Sequence, residues 1–202
     1  MGRPPVPLLS TDRIAGVALD LVNATGGFTI PELARRLGVS PSSLYNHVSG
    51  RDEIVELLRE RAMSDVELPD DDPDRDWTET VAEIMRSYRR SFARYPRLIP
   101  LLAIHAVNST HAFVMYNALA ATAQKAGFNS ADTLRIITLA DNYVLGSALD
   151  LAAPDQPWTA GADVGPELAD ALATGAPKPT RADDAFEWGL VALLRGLATM
   201  LE

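Results

Sequence analysis

Residues 29–47, TIPELARRLGVSPSSLYNH, decide the fold of the N-terminal part of this chain. Thr29 is a favoured N-cap, and Glu32 stands at the third helical position, so the two form a capping box. This predicts a helix over residues 30–37, which Gly38 ends by taking the left-handed backbone conformation. The serine and proline that follow are a favoured N-cap and a favoured first helical residue. They predict a second helix of about seven residues over 41–47.

Two short capped helices joined by a three-residue turn form a helix-turn-helix, in which the second helix can enter a DNA major groove. Its outward side chains are short or planar hydrogen-bonding groups, which suit base edges and phosphates; they are Ser42, Ser43, Asn46 and His47, with Tyr45 at the edge. Arg51 opens a further helix, where its charge opposes the helix dipole and would be better placed against a phosphate. Spacing alone leaves a plain helical hairpin with a polar surface as an equal alternative.

Charge is distributed unevenly along the chain. The 202 residues carry a net charge of −9, which by itself argues against nucleic acid. Residues 1–51 carry five arginines against three acidic residues, a balance of +2, whereas the rest carries −11. We therefore expect the protein to meet DNA with its N-terminal end only.

Composition narrows the class of protein. Apolar residues make up 47% of the chain, enough for a sizeable core, and the chain has no cysteine, which excludes disulfides and thiolate metal sites. The Pro-rich start lacks the apolar region of a signal peptide, and no uncharged apolar run reaches 18 residues. We expect a cytoplasmic protein that does not associate with a membrane.

Apolar residues recur at helical spacing almost throughout, which predicts an all-α protein of about nine or ten helices. After an acidic loop at 69–76, a long helix should end near Tyr95 and Pro96. Further helices are expected at about 97–107, 109–126, 130–152 and 182–201. Residues 153–181 should form a long loop holding one short helix near 166–174.

The N-terminal motifs resemble the signature of TetR-family repressors. The resemblance covers about residues 10–62 and rests on LARRLGVS at 33–40, LYNHV at 44–48 and RDE at 51–53, which follow one another in the family's order and spacing. It implies a helix-turn-helix domain over residues 1–50, a connecting helix over 51–66, and a ligand-binding and dimerisation domain over 67–202. It further implies a regulator that binds double-stranded, palindromic DNA as a homodimer, most often as a repressor, and that a small-molecule effector releases.

The resemblance also implies roles for residues. Tyr45 and His47 match family positions that contact the DNA backbone, and Arg51 matches a basic phosphate contact. Thr29 matches a frequent backbone contact. The complete predicted DNA-binding set is Thr29, Ser40, Pro41, Ser42, Ser43, Tyr45, Asn46, His47 and Arg51.

Two C-terminal helices are candidates for a dimer interface. The helix near 130–152 has two apolar stripes, so it should be buried on both sides. The last helix carries a strip of small residues that would allow close helix contact. We expect a four-helix interface between two copies, with packing inside one protomer as the alternative; the interface residues would be Tyr143, Gly146, Gly189, Leu193, Gly196 and Leu197.

Polar residues inside apolar stretches predict an effector pocket. Asp141 lies on an apolar stripe, so it must pair, take up a proton or face a cavity. The candidate ligand-binding residues are His105, Asn108, His111, Tyr116, Asp141, Asn142 and Trp158, with Phe113 and Met115 as apolar lining. Each of them singly could equally be a structural core residue.

Other chemistry finds no support in the sequence. His105 and His111 stand six residues apart, which is wrong for a zinc pair on one helix. The alternating aspartates at 70–76 lack the glycine and glutamate of a calcium loop. No phosphate-binding glycine loop or nucleophile elbow occurs. We expect neither an enzyme nor a metal or cofactor site; a helical enzyme, or an interaction module that uses the C-terminal pocket without DNA, is the alternative.

Overall fold

The computed structural model describes residues 9–154, 157–158, 161, 163–174 and 180–201. In the described residues all regular secondary structure is helical and includes ten α-helices, which confirms the predicted all-α class. In order they are α1 (Thr11–Thr25), α2 (Ile30–Leu37), α3 (Pro41–Leu44), α4 (Arg51–Met63), α5 (Trp77–Ala93), α6 (Ile99–Leu102), α7 (Thr110–Ala126), α8 (Ser130–Asp150), α9 (Pro166–Thr174) and α10 (Arg181–Ala198), with a 3-10 turn at Pro96–Leu98 before α6.

The first three helices form a small unit closed by α4. Helix α1 buries most of its apolar stripe, in which Ile14, Leu21 and Val22 are fully buried. Leu33 of α2 and Leu44 of α3 are also fully buried in this core. Helix α4 packs closely along α1 and also contacts α5 and α7, so it connects the N-terminal unit with the rest of the fold.

The remaining helices form the larger C-terminal part. Helix α5 is its centre, because it packs against both α7 and α8 and also contacts α4 and α10. Its buried Met85, Tyr88 and Phe92 belong to one continuous core that extends into the N-terminal unit. A second, smaller cluster joins the C-terminal end of α7 to α8 and α10 through Ala123, Phe128, Ile136 and Leu197.

Two helix predictions were wrong in length. The helix expected at 97–107 is a 3-10 turn followed by one α-helical turn ending at Leu102. The segment after it is held by side chains of α4 instead of continuing the helix. The recognition helix, expected over 41–47, is regular only to Leu44. Residues 45–47 form a turn in which His47 N–H donates to the carbonyl oxygen of Leu44 at 2.9 Å.

In the part of the chain that the structure covers, no single helix is both long and apolar enough to cross a bilayer. Only α1 and α2 taken together meet those criteria, and they are bent by 119° at the break between them.

Candidate functional site

The helix-turn-helix is fixed by its own capping groups. Thr29 Oγ1 accepts a hydrogen bond from Glu32 N–H at 3.3 Å, as the capping box predicts. Gly38 adopts φ = 71°, in the left-handed region, and ends α2. Ser40 Oγ accepts from Ser43 N–H at 3.3 Å and starts α3. These short-range bonds fix the start of α3, whose outer surface faces solvent.

The predicted DNA-binding residues are solvent-exposed with one exception, Ser43. Tyr45 has 54% of its surface exposed, which is high for a tyrosine and means that its ring is free to contact a partner. Ser43 is half-buried, and its hydroxyl lies 2.9 Å from Ser40 Oγ. The other members are all exposed; they are Thr29, Ser40, Pro41, Ser42, Asn46, His47 and Arg51.

The start of α4 is organised by Glu53 and not by an N-cap side chain. Glu53 accepts hydrogen bonds from the backbone N–H of Ser49 at 2.6 Å and from its hydroxyl at 2.7 Å. These two bonds lower the pKa of Glu53 below its ordinary value. The guanidinium of Arg51 lies 5.2 Å from the ring centre of Phe28, which orients this exposed cation beside the helix-turn-helix.

One face of α4 holds the segment that joins α6 to α7. The carboxylate of Glu56 accepts from the backbone N–H of Asn108 at 2.8 Å. Glu60 accepts from the Ser109 hydroxyl and from His111 N–H, and it lies 2.5 Å from His111 Nδ1. Burial would raise the pKa of Glu60, but the hydrogen bonds from Ser109 and His111 outweigh it and lower that pKa.

Arg59 completes this contact from a buried position. Its Nε donates to Glu56 at 3.0 Å, and its Nη2 donates to the carbonyl oxygens of Leu102 and His105, both at 3.2 Å. A buried arginine with several such bonds is a rigid link, because each bond limits the orientation of its planar guanidinium. We call Glu56, Arg59, Glu60 and their partners in residues 102–111 the α4 clamp.

A second polar group lies in the core, where α5, α7 and α8 meet. Tyr116 donates to Asp141 Oδ2 at 2.8 Å. Oδ1 of the same carboxylate is buried and has no hydrogen-bond partner in the described chain. Burial raises the pKa of Asp141 above its ordinary value, although the hydrogen bond from Tyr116, the nearby phenol of Tyr88 and the charge of Arg59 oppose the shift. Asp141 is therefore a hydrogen-bond acceptor with one oxygen left to satisfy.

The predicted ligand-binding residues fall into three places. His105, Asn108 and His111 belong to the α4 clamp or adjoin it, and the His105 ring lies 3.4 Å from Asp52. Tyr116 and Asp141 form the core pair. Asn142 is exposed on α8, and Trp158 is exposed with the Arg181 guanidinium 5.6 Å from its ring centre, so the structure brings neither of them to the other five. Met115 is buried, whereas Phe113 is half exposed.

Arg59 and Tyr88 were not predicted from the sequence. Arg59 contributes its positive charge, and Tyr88 its phenol, to the surroundings of the core pair. Glu56 and Glu60 of the clamp were not predicted either. A signal was present, since Asp52, Glu56 and Glu60 recur every four residues along one face of α4. An acidic row of this kind is ordinarily a solvated face, and only the fold shows that residues 108–111 pack against Glu56 and Glu60.

The outer faces of α8 and α10 carry large exposed apolar side chains. Trp188 is 79% exposed and Leu134 is 67% exposed, and Leu139 and Val191 also face solvent. Of the predicted interface residues, Gly146 and Gly196 are exposed, whereas Leu193 and Leu197 pack toward the protomer's own core. Tyr143 and Gly189 mediate the contact of α8 with α10, because Tyr143 donates to the Phe186 carbonyl oxygen at 2.7 Å.

Together, these features define an all-α protein with an N-terminal helix-turn-helix, a connecting helix and a larger helical C-terminal part. The chain belongs to the tetracyclin repressor-like family. Residues 68–201, more than half of the chain, match the family model described as "Tetracyclin repressor-like, C-terminal domain".

Curated relatives agree with this assignment. An HTH-type transcriptional regulator of Saccharopolyspora erythraea is 29% identical over 143 residues, and the transcriptional repressor DrrR1 of Streptomyces coeruleorubidus is 26% identical over 148 residues. These matches cover 70% and 72% of the chain but only 60% and 55% of the two relatives. The class A tetracycline repressor from transposon 1721 of Escherichia coli is 29% identical, with 94% of this chain and 91% of the repressor covered.

Solved structures share the fold over nearly the whole chain. A possible TetR-family regulator from Streptomyces coelicolor superimposes with a TM-score of 0.79 at 24% identity, covering 95% of this chain and all of that one. ActR from the same species, in complex with actinorhodin, superimposes with a TM-score of 0.75 at 25% identity, covering 97% of each chain.

Proposed function

We propose that this protein is a ligand-responsive, DNA-binding transcriptional regulator that acts as a repressor and binds a palindromic operator as a homodimer. The observation that carries the proposal is the surface of α3 and its following turn. There, capped short-range structure presents Ser42, Tyr45, Asn46 and His47 to solvent beside the exposed cation Arg51. Named relatives that are transcriptional regulators and repressors support it. Such a regulator is not an enzyme, and it works in the cytoplasm, where its DNA is.

Most contacts from this surface would position the protein without reading sequence. Tyr45 and His47, on the turn after α3, suit phosphate oxygens, whereas Ser42 on α3 and Asn46 on the same turn carry short polar side chains that suit base edges. Arg51 supplies one cation per protomer. Because cationic contacts are few, affinity should fall only modestly as salt rises.

The dimer uses the outer faces of α8 and α10. Contiguous exposed apolar side chains on a globular protein mark a contact surface, and here they include Leu134, Leu139, Trp188 and Val191. Pairing these two helices with their mates buries them in a four-helix interface. Sedimentation should give a dimer at micromolar concentration, and Trp188→Glu should shift it to monomer. A wild-type monomer would contradict this part of the proposal.

The α4 clamp is the proposed path from effector to DNA. An effector that binds near Asp141 changes the arrangement of α7 and α8, and it would act on Arg59, whose charge influences that carboxylate and whose guanidinium donates to the carbonyl oxygen of Leu102. Movement of the clamp displaces α4, which packs along α1. The separation of the two recognition surfaces then changes, and the operator is released.

A gel-shift assay with the DNA upstream of the protein's own gene tests the proposal. The wild type should shift this fragment at low salt, and Asn46→Ala with His47→Ala should weaken the shift at least tenfold. Glu167→Gln, an exposed change on α9, serves as the matched control and should leave the shift intact. An intact dimer that shifts neither this fragment nor any other would contradict DNA binding.

A further inference from the structure

A cavity of about 290 Å³ lies between the acidic linker, residues 64–76, and helices α5 and α7. It is lined by residues that belong neither to the α4 clamp nor to the core pair of Tyr116 and Asp141. Ligand-binding cavities begin at roughly 300 Å³. This cavity lies at that lower limit, which suits a ligand no larger than one aromatic ring with a short aliphatic chain. We call it the linker pocket.

The floor of the linker pocket is apolar. It is formed by Leu68, Ile84 and Ala118, of which Ile84 is almost fully buried. Trp77 forms one wall, and its ring is held edge-on to Phe128 with the ring centres 5.6 Å apart. A tryptophan fixed in this way offers a planar face for a ring or a cation without losing rotamer freedom on binding.

The rim of the linker pocket is acidic. Asp70, Asp71 and Asp72 line it, and neither Asp70 nor Asp71 makes a hydrogen bond or ion pair with the part of the chain that the structure describes. Arg75 is paired with Glu83 at 2.9 Å, so it does not neutralise the three aspartates. Lys125 donates to the Pro73 carbonyl oxygen at 3.3 Å and offsets one of the three negative charges.

An apolar floor, a fixed indole and a rim with excess negative charge together favour one class of ligand. We propose that the linker pocket binds a lipophilic organic cation, with the ring on the floor against Trp77 and the ammonium group at Asp70 and Asp71. The site lies apart from the proposed effector site around Asp141. A ligand there would hold the linker against α5 and α7, and so restrict the C-terminal end of α4.

Isothermal titration calorimetry of the full chain with three matched probes tests this assignment. The probes are 2-phenylethylammonium, the neutral 2-phenylethanol and the anionic phenylacetate, which share a ring and chain length. The ammonium should bind about tenfold more tightly than the alcohol, and phenylacetate should not bind. The preference should shrink as salt rises, because the rim carboxylates are exposed.

Charge variants locate the site. Asp70→Asn and Asp71→Asn should each weaken ammonium binding about twofold to fivefold, as expected for exposed charge pairs. Lys125→Gln removes a positive charge from the pocket and should strengthen ammonium binding by a similar factor. The opposite signs distinguish a rim contact from general destabilisation. Glu167→Gln removes the same unit of charge from α9 and should change nothing.

Two further variants separate this site from the core pair. Ala121→Leu places a larger side chain on an exposed residue that lines the pocket, and it should abolish ammonium binding while the helix content is kept. Asp141→Asn should leave binding unchanged. Equal binding of the ammonium and the alcohol would overturn the proposal, as would binding that Asp141→Asn abolishes and Ala121→Leu does not. Neither outcome depends on whether the protein binds DNA.

Discussion

The contact between α8 and α10 gives a sharp prediction at Gly189. A methyl group added there would lie 2.2 Å from Tyr143 Oη and 3.1 Å from Cζ of the same ring. Both distances are too short for carbon contacts, so Tyr143 must move away. In moving it loses the hydrogen bond that it donates to the Phe186 carbonyl oxygen at 2.7 Å.

The expected size of the effect follows from three contributions. Forcing an extra methyl group into a packed contact costs about 1–3 kcal/mol, and losing the Tyr143 hydrogen bond costs about 1 kcal/mol. Replacing a mid-helix glycine by alanine gains about 1 kcal/mol. Gly189→Ala should therefore lower the free energy of unfolding by about 1–3 kcal/mol.

A double-mutant cycle measured by urea denaturation tests this reasoning. Tyr143→Phe alone should cost about 1 kcal/mol. The double variant removes the closest clash, so it should lie within about 1 kcal/mol of the wild type and show a favourable interaction between the two changes. Gly16→Ala, in α1, meets no atom within 4 Å and should stabilise by up to about 1 kcal/mol. Protein concentration is held constant because the protein is expected to dimerise. A Gly189→Ala variant as stable as Gly16→Ala would refute the contact.

Three further predictions concern the core and the clamp. The raised pKa of Asp141 means that its charged form is disfavoured in the folded state, so the free energy of unfolding falls as pH rises above the ordinary carboxyl pKa. Asp141→Asn should therefore raise the free energy of unfolding at pH 8 but not at pH 3. A lower free energy of unfolding at pH 8 in this variant would contradict the reasoning. The lowered pKa of Glu60 works in the opposite sense, because the stabilisation by its carboxylate is present above the ordinary carboxyl pKa and is lost as pH falls through the lowered pKa. Glu60→Gln should lower the free energy of unfolding by about 1 kcal/mol at pH 7, and the difference from the wild type should shrink at acidic pH. Leu44→Ala should cost about 2–5 kcal/mol in thermal or urea unfolding, because Leu44 is fully buried in the helix-turn-helix core; a loss below about 1 kcal/mol would contradict that packing.

The helix-turn-helix could be predicted from local sequence, because its structure is determined locally. The capping bonds of Thr29 and Ser40 join residues three apart, and Gly38 takes the left-handed conformation that ends α2. Exposed polar residues on α3 were predictable for the same reason. The early end of α3 at Leu44 could not be predicted, since the residues after it favour helix and turn almost equally. Where the helix stops is set by the path of the chain from α3 to α4.

The α4 clamp and the core pair depend on contacts distant in sequence. Glu60 and His111 are 51 residues apart, and Tyr116 and Asp141 are 25 apart. No periodicity within one helix specifies such partners. Asp141 could be singled out because an acid on an apolar stripe needs a partner, but which tyrosine would supply the hydrogen bond required the fold. The helix predicted over 97–107 failed for a related reason, since Arg59 satisfies carbonyl groups that a longer helix would have used.

The central claim is that this chain binds a specific DNA sequence through the surface of α3. In vitro selection from random double-stranded DNA tests it most directly, because the selection itself identifies the preferred operator sequence. The account predicts enrichment of an inverted repeat by the wild-type dimer, and loss of that enrichment in the Asn46→Ala, His47→Ala double variant at unchanged helix content. A folded, dimeric wild type that enriches no sequence over the starting pool at low salt would contradict it.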